Sequence, residues 1–212
     1  MRILILFLTL IFSQNLLAST LKLNYSLFFG YMKTMYKLDY QHVTTGFYLV
    51  EESSGDACLI DQAEMVVDQK REAIDFEKQG KLLPFIPTNH RKDGAMIEVK
   101  TVDNVACALQ VRLTAKESEL SKLSFQRLTT ISTELEGVLR KNAGMIGKYF
   151  LPNYNGLRFK VDSPLATEIA LQKGFTLADN GDILVSNKIL METEGSELLP
   201  FDVNRVSPWI GE

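Results

Sequence analysis

The chain has 212 residues, of which 46% are hydrophobic, and a formal net charge of −3. That length and apolar fraction support a real buried core, in one domain or in two small ones. The mildly acidic balance, without any basic stripe interleaved with aromatic residues, argues against nucleic acid as a partner.

Residues 1–18 read as a secretory signal. Arg2 precedes the apolar run Ile3 to Phe12, and Leu16-Leu17-Ala18 ends on a small residue suited to cleavage, with Ser19 as the alternative cut. The run is about ten residues, against the roughly twenty that a spanning helix needs, and no later stretch approaches that length. No cysteine stands at the cut, so a lipid-anchored form is not expected. Two cysteines remain, Cys58 and Cys107. In an oxidising compartment they are most simply one disulfide, the alternative being a reactive or metal-binding thiol. A bridge closing about fifty residues is worth about 4 kcal/mol on the chain-entropy account.

A short strand, Leu21 to Leu23, leads into a helix over Tyr25 to Lys37, where Tyr25, Phe28, Phe29, Met32, Met35 and Tyr36 form one stripe and Asn24 is the candidate cap. Alternation then resumes through Leu38, Tyr40 and His42 and continues as a strand over Gly46 to Val50. Glu51 to Gly55 is a turn and Ala57 to Val67 a further strand. Ile74 to Glu77 and Lys81 to Phe85 form a hairpin about Gly80, its return confined by Pro84 and Pro87 to an end or an edge. Residues 95–101 and 105–114 suggest a second hairpin about Asp103-Asn104, with Cys107, Leu109, Val111 and Leu113 on the core face and Gln110 and Arg112 opposite.

From the capping-box form Thr114-Ala-Lys-Glu117, apolar residues from Leu120 to Tyr149 recur at helical spacing. This is one long helix, or two if the run Thr129, Thr130, Ser132, Thr133 breaks it. Leu157 to Val161 returns to strand, and Asp179-Asn180-Gly181-Asp182 marks a tight turn. A cassette also occurs twice: Gly46-Phe47-Tyr48-Leu49, Gly55-Asp56 and Leu82-Leu83-Pro84-Phe85, then Gly174-Phe175-Thr176-Leu177, Gly181-Asp182 and Leu198-Leu199-Pro200-Phe201. The expected fold is α+β and mainly antiparallel, with two related small β-sandwich-like modules, a long helical segment between them and a short N-terminal helix. The expected divisions are 19–114, 115–151 and 152–212, with any binding site where the two modules and the helix meet.

No nucleophile-elbow, Walker, dinucleotide-binding or zinc-protease motif is present, so no catalytic, cofactor or metal residues are assigned. His42 and His90 lack an i, i+4 partner, and His90-Arg91-Lys92-Asp93 reads as a solvated loop. Asp179 to Asp182 lacks the spaced oxygens of a calcium loop. Glu51, Glu52 and Asp56 fit an exposed turn. Tyr48, Tyr149, Tyr154 and Trp209 are candidates for a sugar- or peptide-binding surface.

Tyr25-Ser26, Phe29, Gly46 to Leu49, Cys58-Leu59-Ile60-Asp61-Gln62-Ala63, both Leu-Leu-Pro-Phe runs, Gly156-Leu157-Arg158-Phe159 and Pro208-Trp209-Ile210 together resemble an uncharacterised family of bacterial secreted proteins, domain of unknown function 2987. The resemblance implies coverage of nearly all of the chain after the signal and transfers no catalytic residue. More loosely, Cys58 to Phe85 is similar to small sandwiches of the transthyretin-like and carboxypeptidase-regulatory type, a likeness of fold alone. The functional expectation is an exported soluble, non-enzymatic binding or protein-interaction module of the bacterial periplasm. Its partner is an unknown envelope protein or ligand, and no cofactor is expected. The alternatives are an envelope hydrolase with a dispersed site and a structural subunit of an envelope complex.

Overall fold

The computed structural model describes residues 20–85, 91–102, 105–121, 123–147 and 149–211. The expected signal, His90 and the Asp103-Asn104 turn lie outside them. In chain order the elements are β1 (Thr20–Asn24), α1 (Tyr25–Leu38), β2 (Val43–Glu51), β3 (Ile60–Val67), β4 (Lys70–Ala73), β5 (Asp75–Glu77), β6 (Lys81–Leu83), β7 (Met96–Thr101), β8 (Cys107–Ala115), α2 (Phe125–Gly147), β9 (Tyr154–Lys160), α3 (Pro164–Gln172), β10 (Thr176–Leu177), β11 (Ile183–Ser186), α4 (Asn187–Glu192) and β12 (Arg205–Ile210), with a 3₁₀ turn at Glu117–Glu119. Three sheets result, ordered β1-β7-β3-β4, β5-β6-β2-β8 and β10-β11-β9-β12. The strand pairs among the described residues are antiparallel, which makes the chain α+β.

The first apolar cluster gathers α1 with the first two sheets. The Asn24 side chain accepts the Ser26 N–H at 2.9 Å and starts α1. Tyr25, Phe28 and Phe29 are buried, and the Phe28 and Phe47 rings lie 4.9 Å apart among Leu49, Ile60, Met65, Leu82 and Ile97. Asp39, in the left-handed region at φ 50, ends the helix by donating its N–H to the Met35 carbonyl. The alternation through Leu38 and Tyr40 is therefore helix end and turn, and β2 begins only at Val43. Cys58 and Cys107 are bonded, with Cα atoms 6.4 Å apart. Cys107 opens β8, while Cys58 sits in the connection between β2 and β3, its N–H on the Leu49 carbonyl.

Residues 96–101 and 107–115 are both strands, but they do not form the expected hairpin. β7 lies between β1 and β3, whereas β8 pairs with β2 from Val43↔Ala115 to Glu51↔Cys107. β7 buries Ile97 and Val99 completely and takes a central place. β8 lies at a sheet edge; both strands keep one polar face, Glu98 and Lys100 on β7 and Gln110 and Arg112 on β8, so the alternation marks each as a strand without fixing its neighbour.

The second cluster places α2 against the third sheet. Phe125, Leu128, Ile131, Leu135 and Val138 recur at helical spacing and meet Leu157, Phe159, Val185 and Val206, reaching as far as Val43 and Ala115 at the ends of β2 and β8. The helix starts ten residues later than the capping-box pattern suggests: β8 runs through Ala115, and the Ser124 hydroxyl accepts the Arg127 N–H at 3.2 Å. Its polar β-branched run does not break it. Thr129, Thr130 and Thr133 donate their hydroxyls to carbonyls four residues back, which keeps them inside one helix. The interruption comes at Gly144, at φ 73.

The glycines of the two cassettes serve different ends. A Cβ at Gly46 would lie 2.6 Å from Cε2 of Tyr48, whose ring folds across that position within β2. Gly174 has open space around it and is needed for its φ of +79 after α3. Leu82 and Leu83 belong to β6, whereas Leu198 makes an isolated bridge to Ser124.

Candidate functional site

β8 and β12 are edge strands of different sheets, and they approach one another without forming a ladder among the described residues. The period of two puts Gln110, Arg112 and Thr114 on one face of β8, and Arg205, Ser207 and Trp209 on the face of β12 away from the core. The register pairs Ser207 with Arg158 and Arg205 with Lys160, so the third sheet turns a cationic outer face toward β8. Between the two edges lies a recess of about 420 Å³ that includes Arg112, Arg158, Arg205, Asn180, Asp182 and Ser207 in its walls. Its volume falls within the range of ligand pockets.

Among the described residues, three guanidinium groups share this recess with one carboxylate. Arg112 lies over the Tyr48 ring, 4.4 Å from its centroid, and its Nε donates to Gln110 Oε1 at 2.5 Å. Burial, and after it the positive charge of Arg205, pull the Arg112 guanidinium below its ordinary pKa. The missing Cβ of Gly46 gives the Tyr48 ring room to lie flat beneath Arg112. Arg158 is 3.9 Å from Asp182, and its Nε is buried without a hydrogen-bond partner among the described residues. Asp182 is itself buried and accepts from the Asn180 side chain at 3.0 Å. Like charges held together destabilise one another, so an anion in the recess would relieve the repulsion between Arg112 and Arg205.

A second recess of about 240 Å³ adjoins the first and shares Arg112, Thr114 and Arg205 with it. It adds Tyr48, Glu117, Lys160, Asp162 and Asn204. Here too an amide and a carboxylate are joined, the Asn204 side chain donating to Asp162.

The residues singled out in the sequence fall in several places. His42 precedes β2, its ring 3.3 Å from Glu119 and 2.9 Å from Arg127, while its backbone N–H donates to Glu134. That cluster ties the 3₁₀ turn and α2 to β2, and Asp93 stands exposed elsewhere. Glu51 accepts from Ser53 and Ser54 in the turn after β2, which holds its carboxyl below the ordinary value. Tyr149 is 77% exposed after α2. Tyr154 is locked into a network with Ser132 and Asn187. Trp209 is half-buried on the outer face of β12. Of these residues, Tyr48, Asn180 and Asp182 line the seam, and the tight turn is what presents Asn180 and Asp182. Among the described residues no group of three or more His, Cys, Asp or Glu is placed to hold a metal ion, and no helix is long and apolar enough to cross a membrane.

Residues 17–161 match the family described as protein of unknown function (DUF2987), and the chain belongs to that family. The match ends just after β9. It therefore takes in Arg112 and Arg158 but leaves Asp182 and Arg205 beyond it. No curated protein and no solved structure matches the chain.

Proposed function

We propose that this member of the DUF2987 family is a non-enzymatic binding protein exported to the bacterial periplasm, and that it captures an anionic group at the seam between β8 and β12. The observation that supports the reading is the arginine-lined recess, with Arg112, Arg158 and Arg205 in its walls beside Asp182 and with the charge of Arg205 acting on Arg112. Guanidinium forks suit carboxylate, sulfate and phosphate because two parallel N–H bonds meet two oxygens. The disulfide between Cys58 and Cys107 fits a chain that matures in an oxidising compartment.

The test is calorimetric and thermal titration of the purified chain with sulfate, phosphate and citrate. An anion present at a hundred times its dissociation constant stabilises the folded state by about 2.7 kcal/mol. Binding should weaken as sodium chloride is raised, and Arg205→Gln and Arg112→Gln should each reduce it at least tenfold while leaving the fold intact by circular dichroism. If none of the three anions shifts the melting temperature, or if both variants bind as the parent does, the anion site is wrong. Turnover of a substrate that is abolished by one polar substitution in the seam would replace the binding protein by an enzyme.

A further inference from the structure

We propose that the ligand of the seam is an acidic oligosaccharide, a chain of sugar rings carrying carboxylate or phosphate groups. This rests on the reading of the seam as an anion site and narrows its ligand. A site for a small free anion gains nothing from carboxylates in its walls, since each repels the ligand. The seam nevertheless holds one amide–carboxylate pair in each recess: Asn180 with Asp182 in the larger, Asn204 with Asp162 in the smaller. Arg112 and Arg205 belong to both recesses and stand between the pairs.

Sugar hydroxyls both donate and accept, so they need acceptors beside donors. Carboxylates and amide carbonyls supply the acceptors, and the hydroxyls of Thr114 and Ser207 add groups that do either. The charged substituent of the chain then meets Arg112 and Arg205. Two adjoining recesses, open along the meeting of two sheets, suit an extended chain better than a compact ion. A nucleic acid fits less well. Its evenly spaced phosphates would pass the carboxylates of Glu117, Asp162 and Asp182, and among the described residues only Tyr48, already covered by Arg112, lines the recesses with an aromatic ring. An acidic peptide would repel the same carboxylates with its side chains and has few hydroxyls to offer them.

The experiment compares, on the full chain and by calorimetry, an oligogalacturonate, a phosphorylated oligosaccharide, a neutral oligosaccharide of equal length, inorganic sulfate, a single-stranded oligonucleotide and an oligoglutamate. The expected result is binding of at least one acidic oligosaccharide ten times or more tighter than sulfate, with the carboxylate and phosphate arms showing which acid the seam prefers. Asp162→Asn and Asp182→Asn are diagnostic because they separate the two ligand types. They should weaken the oligosaccharide about three- to tenfold and leave sulfate unchanged or tighter. Asp162 is exposed, so its variant keeps the test valid if the buried Asp182 proves necessary for folding. Sulfate binding with no gain for either acidic saccharide, or stronger binding of the oligonucleotide or oligoglutamate, overturns the saccharide and leaves the anion site standing. No binding by any anionic probe overturns both.

Discussion

Breaking the bridge between Cys58 and Cys107 tests how much of the chain's stability comes from that one bond. The cysteines are 49 residues apart in sequence and 3% and 9% exposed in the fold. Closing a loop of that length removes about 4 kcal/mol of conformational freedom from the unfolded chain on the chain-entropy account. The paired substitution Cys58→Ala with Cys107→Ala avoids leaving a thiol to mispair, and alanine in these small buried sites adds little packing loss of its own. For a chain of this size each kcal/mol corresponds to about 2–4 °C, so the double variant should melt about 8–16 °C below the parent. Melting is followed by circular dichroism at fixed protein concentration, with peptide mass mapping under non-reducing conditions to show the bridge in the parent. Equal melting temperatures, with the bridge demonstrated in the parent, would refute the loop-closure reasoning. A difference confined to the unfolding rate would show that the bond acts on the barrier instead.

Gly80→Ala should be among the costlier glycine substitutions. Its φ is +90 and a Cβ would come within 2.7 Å of the Leu49 carbonyl oxygen and 2.9 Å of that of Cys58, both backbone, so about 2–4 kcal/mol is expected by urea denaturation. The same change at Gly55 or Gly181, where φ is positive but the space is open, should cost only the conformational part, about 1–2 kcal/mol; equal losses at all three would contradict the steric argument. Burial raises the Tyr154 pKa well above its ordinary value, so its contribution to stability is full below about pH 10 and is lost as the pH rises toward the folded value. Alkaline unfolding followed by phenolate absorbance should therefore lose part of its pH dependence in Tyr154→Phe, which should itself cost about 1–3 kcal/mol through the lost bonds to Ser132.

Local pattern and local capping made α1, β1 and the strand carrying Cys107 legible. Asn24, the aromatic stripe and the alternation after Val105 each state their structure within a few residues. Partner choice was not legible, because alternation marks a strand without naming its neighbour. β7 and β8 read as a hairpin by proximity, yet each has one apolar and one polar face, and neither composition nor alternation says that β7 pairs with β1 and β3 while β8 pairs with β2. The start of α2 was misplaced for a related reason: Leu120 and Leu123 keep helical spacing although they precede the helix, Leu123 being buried in the second cluster on its own account. The seam was half legible. Arg112 stood on the polar face of its strand and the turn at Asn180 was marked, but a polar face ordinarily meets water. That it meets Arg158 and Arg205, each over forty residues further along, depends on how two sheets are set together.

The ladder between β2 and β8 belongs to both apolar clusters. At one end it carries Phe47, Leu49 and Cys107 into the first, and at the other Val43 and Ala115 into the second. It works as a party wall: neither side can be taken down without removing backbone bonds that hold up the other. Arg112 is mounted on that wall, near its midpoint. The position of the seam's central charge is thus referred to both halves of the molecule at once.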